Sequence, residues 1–261
     1  MRILLLNPNT TKGITDLLLS AGREVASMGT EIVPLTASRG VPYIATRAEA
    51  QIAGAMTLEM LAEHSREVDA AIIAAFGDPG LFGARELFDI PIVGMAEAAM
   101  LSACMLGRRF SVVTFARALG PWYQECVEMH GLRERCAGIR MLDGAFRSIS
   151  KVQEENETLL VELANRAVHE DDADVIILAG APLAGLASRV KAKIPVPVVD
   201  QAAAAVKQAE ALVALAPRKA TAGTFRRPDP KPTVGLPDAL GRHIEHREEN
   251  ASETSPNDKR L

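Results

Sequence analysis

The sequence predicts an α/β protein of two similar lobes, each a parallel sheet flanked by helices, with a cleft between them. Short apolar runs alternate with longer segments of helical periodicity, which is typical of parallel strands joined by crossover helices. Hydrophobic residues make up 48% of the 261 residues but aromatic residues only 4%, so Ala, Val, Ile and Leu are expected to fill the core. Three pairs of strand-like segments also recur at a nearly constant spacing.

The elements follow from apolar runs bounded by polar or turn residues. The predicted strands, in chain order, are Ile3–Leu6, Glu31–Leu35, Ala70–Ala75, Ile92–Val93, Arg109–Thr114, Ile139–Leu142, Val175–Leu178 and Val196–Val199. The predicted helices between and after them are Thr11–Ser27, Arg47–Arg66, Gly80–Leu87, Glu97–Leu106, Leu119–His130, Ser150–His169, Pro182–Lys191 and Gln201–Leu215.

The recurring segments indicate an internal duplication. One similar pair can arise by chance, because buried strand-turn-helix units rich in Ala and Val look alike, but three pairs in register favour two related lobes. The predicted boundaries are 1–95 plus 200–216 for the first lobe and 96–199 for the second. The pairs are Asp69–Ala75 with Asp174–Gly180 (105 residues apart), Ile90–Val93 with Ile194–Pro197 (104 apart) and Arg2–Asn7 with Arg109–Thr114 (107 apart).

The character of the chain changes after Leu215. Residues 217–237 contain five prolines, and His243–Leu261 is almost wholly polar. Such a segment buries too little apolar area to offset its ordering entropy, so we predict a mobile tail. A docking role for this segment is the alternative.

Composition excludes several functional classes. The 29 Lys and Arg against 33 Asp and Glu give a net charge of −4, which does not favour nucleic-acid binding. The apolar run before Asn7 is too short for a secretion signal or a membrane span, so no membrane association is expected. Three cysteines without metal-type spacing indicate a reducing compartment and a cytoplasmic location.

Cofactor and metal signals are lacking in the sequence. No glycine-rich phosphate-binding motif accompanies any predicted strand, so no nucleotide cofactor is expected. The five histidines fall in predicted helices or in the tail, and none directly follows a strand. We therefore predict neither a metal site nor catalysis by histidine.

The expected ligand site lies beyond the carboxyl ends of the strands, where loops and helix N-termini present backbone N–H groups. Asp78 is a candidate general base, or else a cap of the short helix that starts near Gly80. Tyr43 is a candidate proton donor, or else a packing residue. The candidate substrate-binding residues are Asn7, Asn9, Thr10, Ala75, Phe76, Gly77, Thr114, Arg117, Gly180, Ala181 and Pro182. Among these, Asn9 and Thr10 either hold an anion or cap the first helix, and Arg117 is the candidate clamp for a substrate carboxylate.

Four separated motifs resemble the aspartate/glutamate racemase superfamily, and its hydantoin and allantoin racemase branch most of all. The resemblance covers roughly residues 1–215 and implies two pseudo-symmetric lobes, a substrate cleft between them and no cofactor. It also implies that the segment around Tyr43 folds over the cleft. The motifs are Asn7-Pro-Asn-Thr-Thr11, Phe76-Gly-Asp-Pro-Gly-Leu81, Gly94-Met-Ala-Glu-Ala-Ala99 and Leu178-Ala-Gly-Ala-Pro-Leu183.

The sequence departs from that family at its two proton-transfer positions. The family places one cysteine on each lobe, on opposite faces of the substrate carbon, whereas the matching residues here are Ala75 and Gly180. Neither residue carries an ionisable group, and Cys104, Cys126 and Cys136 lie elsewhere in the sequence. Racemisation by two thiols is therefore not expected.

The sequence thus predicts a cofactor-independent enzyme of the racemase and isomerase type. Its expected substrate is a small hydantoin, amino acid or carboxylate, with an enolate-like state stabilised by N–H groups exposed at Ala75 and Gly180. Proton transfer is assigned to Asp78, Tyr43 or water. The alternatives are a lyase, decarboxylase or ring-opening enzyme on the same scaffold, and a non-catalytic small-molecule binding protein. A homo-oligomer is compatible with the sequence, although nothing in it identifies an interface.

Overall fold

The computed structural model describes residues 1–143 and 149–247 and contains two parallel four-stranded sheets. The predicted fold class is confirmed, since both sheets have the same strand order relative to the chain, β2-β1-β3-β4 and β6-β5-β7-β8. The first sheet comprises β1 (Arg2–Asn7), β2 (Glu31–Thr36), β3 (Ala70–Ile73) and β4 (Ile92–Gly94), and the second β5 (Phe110–Thr114), β6 (Cys136–Met141), β7 (Val175–Leu178) and β8 (Val198–Asp200).

The helices of the described residues follow the strands as crossovers. They are α1 (Lys12–Val25), α2 (Arg47–His64), α3 (Leu81–Leu87), α4 (Met95–Leu106), α5 (Gly120–Met129), α6 (Val152–Glu170), α7 (Leu186–Val190), α8 (Gln201–Leu215) and α9 (Asp238–Ile244). The prediction of one helix over Pro182–Lys191 was wrong, because Gly185 adopts a φ of +81° and separates a 3-10 turn from α7. Over the residues described, the structure contains no helix with the length and apolarity needed to span a bilayer.

Equivalent hydrogen bonds connect equivalent strands in the two sheets. The Asp69 carboxylate accepts a bond of 2.7 Å from the N–H of Arg2, and the Asp174 carboxylate accepts one of 2.9 Å from the N–H of Arg109. In return, the N–H of Asp69 donates to the carbonyl of Arg2, and that of Asp174 to the carbonyl of Arg109. Each aspartate thus fixes the start of β3 or β7 beside its central neighbour, which is the contact expected of duplicated lobes.

Two alanine-rich helices join the sheets. α4 packs against α8, β7 and β8, and α8 packs against α1, β3 and β4. Their buried faces consist mainly of alanine, which lets the helix backbones approach closely. At the far end of α8, the buried Glu210 carboxylate accepts hydrogen bonds of 2.7 Å from the N–H of Ser27 and from the hydroxyl of Thr30.

Residues 217–247 differ from the tail expected there, because they contain α9 and contact the first lobe. The Lys219 ammonium donates to the carbonyls of Glu86 at 2.8 Å and Phe88 at 3.0 Å at the end of α3. Leu240 is buried in a cluster with residues of β1, β3 and α3. A few apolar contacts and one partly buried cation thus attach a segment whose average composition is polar. Residues 248–261 lie outside the described part.

Candidate active site

The loops after the strands enclose a small cavity between the two lobes. Its volume is about 20 Å³, which is on the order of one water molecule. Among the described residues that line it, none is charged and none is a cysteine. The lining comprises Asn9, Ile14, Tyr43, Ile44, Ala75, Phe76, Trp122, Tyr123, Gly180, Ala181 and Pro182.

Aromatic side chains occupy most of this cleft. Ring centroids lie 4.7 Å apart for Phe76 and Tyr123, 5.6 Å for Trp122 and Tyr123, and 5.9 Å for Tyr43 and Phe115. Half of the ten aromatic residues of the chain are therefore gathered here. Sequence reasoning missed Phe115, Trp122 and Tyr123. The scarcity of aromatic residues, and the adjacent pair on α5, were the signals that could have identified them.

Ala75 and Gly180, the two positions matched by the family resemblance, line the cavity just after the ends of β3 and β7. Gly180 has a φ of +107°, and a Cβ added there would lie 2.8 Å from Cε1 of Phe115 and 3.3 Å from the Tyr123 hydroxyl. Its N–H already donates to Oε1 of the buried Gln201 at 3.0 Å. The expectation of an exposed N–H donor at Gly180 was therefore wrong, because Gln201 uses that donor.

The two tyrosine hydroxyls are neutral groups. Burial raises the pKa of Tyr43, with the nearby Glu49 adding to the effect, and burial raises the pKa of Tyr123 well above its ordinary value. The Thr114 hydroxyl donates to the carbonyl of Ala179 at 2.9 Å. Its effect on Tyr123 is to lower the phenol pKa, which opposes burial only in part.

The loop after β1 is held by its own asparagines. Asn9 accepts a hydrogen bond of 2.9 Å from the N–H of Thr11, so it fixes the turn that leads into α1. The amide of the fully buried Asn7 donates to Asn9 at 3.2 Å. The N–H of Thr10 donates to the carbonyl of Val41 at 3.0 Å, which attaches the segment containing Tyr43 to this loop.

Asp78 is buried and engaged at both carboxylate oxygens. It is 2% exposed and has a φ of +50°. Oδ1 accepts from the N–H of Ala96 and Oδ2 from the N–H of Glu97, both at 2.8 Å. Asp78 therefore binds the N-terminus of α4, not that of the helix near Gly80, because the two orphan N–H groups of α4 point at it.

His130 links Asp78 to a second carboxylate. Its Nε2 lies 3.0 Å from Oδ2 of Asp78, and its Nδ1 lies 3.4 Å from Oε1 of Glu97, which also receives Arg85 at 2.9 Å. Although burial opposes it, hydrogen bonds with the two carboxylates raise the pKa of His130 to about 9. Burial likewise opposes a low value at Glu97, but the hydrogen bonds of His130 and Arg85 lower the pKa of Glu97 to about 2. His130 is thus a buried cation between two anions.

A second, larger hollow lies beside the cleft, and Trp122 lines both. This groove has a volume of about 610 Å³ and runs between α2 and α5. Asp78 and Cys126 form part of its wall, and the ion pair of Arg47 with Glu125 crosses its rim at 2.7 Å.

The remaining predicted residues are divided between the cleft and its surroundings. Phe76, Ala181 and Pro182 line the cavity, whereas Gly77 lines the groove. Arg117 lines neither of these two spaces. Its side chain is 77% exposed and pairs with Asp143, because the 3-10 turn after β5 directs it into solvent.

Comparison with known proteins identifies a family. The model of the Asp/Glu/hydantoin racemase family matches residues 3–209. A hydantoin racemase of Pseudomonas sp. (strain NS671) is 33% identical over 93% of this chain and 98% of its own length. An allantoin racemase structure from Klebsiella pneumoniae superposes with a TM-score of 0.87 at 34% identity, covering 92% of this chain and 99% of that one. An allantoin racemase structure from Pseudomonas fluorescens superposes with a TM-score of 0.83 at 35% identity, covering 90% of this chain and 100% of that one.

Proposed function

Because the chain belongs to the Asp/Glu/hydantoin racemase family, we propose that it is a cofactor-independent racemase whose cleft takes a small cyclic amide of the hydantoin class. The observation that carries this proposal is the enclosed cavity between Ala75 and Gly180, lined by neutral side chains. Its proton transfer uses no thiol, since the cysteine side chains do not line that cavity. Entry of a substrate requires the segment containing Tyr43 to move outward, because the space is about 20 Å³.

The lining favours a neutral cyclic amide over a free amino acid or carboxylate. Moving a carboxylate out of water without a charged partner costs several kcal/mol. Arg117, the candidate clamp, points away into solvent, and the lining residues offer no other cation. An amide ring instead needs donors and acceptors, and the Asn9 side chain and the hydroxyls of Tyr43 and Tyr123 supply them.

The hydroxyl of Tyr123 takes the place of the missing side chain on the second lobe. It lies 3.3 Å from the position at which a Gly180 side chain would begin. Tyr43 approaches from the first lobe and packs on Phe115. Since the pKa values of both phenols are raised, they act as neutral hydrogen-bond partners of an enolate and water carries the proton. The buried Asp78 then positions α4 and does not act as the base.

The experiment compares matched substrates. A single enantiomer of a benzyl-substituted hydantoin, allantoin and the corresponding free amino acid are incubated with the full chain, and optical rotation is followed over time. The proposal expects rotation to decay faster than in buffer for a cyclic amide and at the buffer rate for the amino acid. Equal rates in buffer and enzyme for both cyclic amides, or faster decay with the amino acid alone, would overturn it.

A non-catalytic binding protein is the second candidate, favoured by the absence of an ionisable side chain at Ala75 and Gly180. The same ligands separate the two functions. If hydantoins raise the melting temperature in proportion to occupancy while optical rotation stays at the buffer rate, the chain binds this class without turning it over.

A further inference from the structure

We propose that Asp78, Cys126 and His130 form a binding site for one divalent transition-metal ion, with zinc as the best-matched metal. This site is separate from the cleft, and the inference does not rest on the proposed racemase activity. It also departs from the expectation, drawn from cysteine spacing and histidine position, that the chain has no metal site.

The donor atoms are already gathered. One oxygen of Asp78, Sγ of Cys126 and a ring nitrogen of His130 all lie within 4.8 Å of one another. Tetrahedral zinc with bonds of about 2.0–2.3 Å needs donor separations of roughly 3.3–3.6 Å. Cys126 and His130 stand one turn apart, at the end of α5 and just beyond it, so they project from the same side. Side-chain shifts on the order of 1 Å therefore suffice to close the set around an ion.

The surroundings resemble the supporting partners of zinc ligands. A histidine that binds zinc through one nitrogen usually donates from the other to a carboxylate, and Nδ1 of His130 faces Glu97 at 3.4 Å. Arg85 holds that carboxylate in turn. Burial, with Asp78 and Glu97 adding to the effect, raises the pKa of the Cys126 thiol well above its ordinary value, and a backbone hydrogen bond with Gly77 opposes this rise only in part. Each of the three donors thus has a second contact that orients it.

An ion has a path to this cluster. Asp78 and Cys126 line the groove of about 610 Å³, although each is only 2% exposed. A water molecule from the groove supplies the fourth ligand, leaving one exchangeable position. The combination of sulfur, nitrogen and oxygen donors selects zinc over magnesium or calcium, which take oxygen ligands.

Binding also preserves the charge of the cluster. Without metal, the cations His130 and Arg85 balance the anions Asp78 and Glu97, and the thiol is neutral. An incoming divalent ion displaces the thiol proton and one imidazolium proton to solvent. Two positive charges are gained and two protons leave, so the buried net charge remains zero.

The test uses the full-length chain after chelator treatment and dialysis. Zinc is added back, unbound zinc is removed, and the bound zinc is measured by elemental analysis. Cobalt is added to a separate sample as a spectroscopic probe of thiolate ligation. We expect one ion per chain and a near-ultraviolet thiolate-to-cobalt band in the unaltered protein and in Cys136→Ser, a matched control with a half-buried thiol outside the cluster. Cys126→Ser and His130→Gln should lose stoichiometric zinc, and Glu97→Gln should weaken it about 10- to 100-fold.

Three results would overturn the site. The first is that the unaltered chain binds no zinc. The second is that its cobalt complex shows no thiolate band. The third is that Cys126→Ser and Cys136→Ser bind zinc equally. The spectrum of the unaltered chain decides the question even if a variant fails to fold. If the unaltered chain binds no metal but turns over hydantoins normally, this inference is refuted and the proposed function is left intact.

Discussion

Gly180→Ala should destabilise this protein through backbone strain and a close contact together. At a φ of +107° an L side chain is strained by about 1–3 kcal/mol. The new Cβ would also lie 2.8 Å from the Phe115 ring, and overpacking of that kind costs about 1–3 kcal/mol. Because alanine has less conformational freedom than glycine in the unfolded chain, the substitution also stabilises the folded state by about 0.4–1 kcal/mol, which offsets part of this loss. The net loss in free energy of unfolding is therefore about 1–5 kcal/mol.

Urea denaturation measures this loss as a lower midpoint at an unchanged slope. Gly13→Ala is the matched control, because Gly13 lies in α1 and its added Cβ meets nothing within 4 Å. That change should stabilise the chain by about 0.5–1 kcal/mol. Adding Phe115→Leu to Gly180→Ala should relieve the contact part of the cost in a double-mutant cycle. A Gly180→Ala protein as stable as the parent would refute the assignment of this loop.

Backbone strain and close contacts also decide whether a cysteine fits at Ala75 or Gly180, the two positions that the family resemblance matches to cysteine. Ala75→Cys extends a Cβ that is already present, whereas Gly180→Cys meets the backbone strain and the Phe115 contact together. A cysteine at Gly180 should therefore fit only when Phe115 is made smaller.

Three further outcomes are expected. Tyr123→Phe should weaken hydantoin binding in calorimetry, because it removes a hydroxyl from the cavity lining; unchanged binding would place the ligand elsewhere. The pKa of His130 is raised to about 9, so in the presence of chelator the stability that His130 contributes should be complete below its ordinary pKa near 6.5 and lost as the pH rises through 9. The loss is on the order of 3 kcal/mol in the free energy of unfolding. An equal dependence of that free energy on pH in His130→Gln would contradict this prediction. Leu240→Ala should cost about 2 kcal/mol or more and speed proteolysis within residues 217–247, and a cleavage rate equal to that of the parent would show that α9 is not anchored there.

The strands of both sheets could be predicted because the sequence pattern that specifies each strand is local. Apolar runs such as Val175–Leu178 are bounded by turn residues, and the repeated Asp69 and Asp174 mark equivalent strand starts. The parallel arrangement predicted a site in the loops at the strand ends. The family resemblance then singled out Ala75 and Gly180, which line the cavity there.

The side chains that fill the site were not predictable in the same way. Tyr123 and Trp122 reach the cleft only because α5 of the second lobe packs over the turn after β3 of the first. Asp78 and His130 are 52 residues apart and on different lobes, so no spacing rule connects them. Sequence reasoning treated each histidine by its own position, whereas the role of His130 is set by the lobe-to-lobe contact.

Under the proposed function, the cleft uses tyrosine hydroxyls and water in its chemistry and does not use sulfur. The most direct measurement is deuterium incorporation at the stereogenic carbon of a single hydantoin enantiomer in heavy water, followed by mass spectrometry. The parent and Cys126→Ser should both exchange faster than buffer, and Tyr123→Phe should exchange at least about 10-fold more slowly than the parent. Exchange at the buffer rate in the parent, or exchange lost in Cys126→Ser and retained in Tyr123→Phe, would contradict this account.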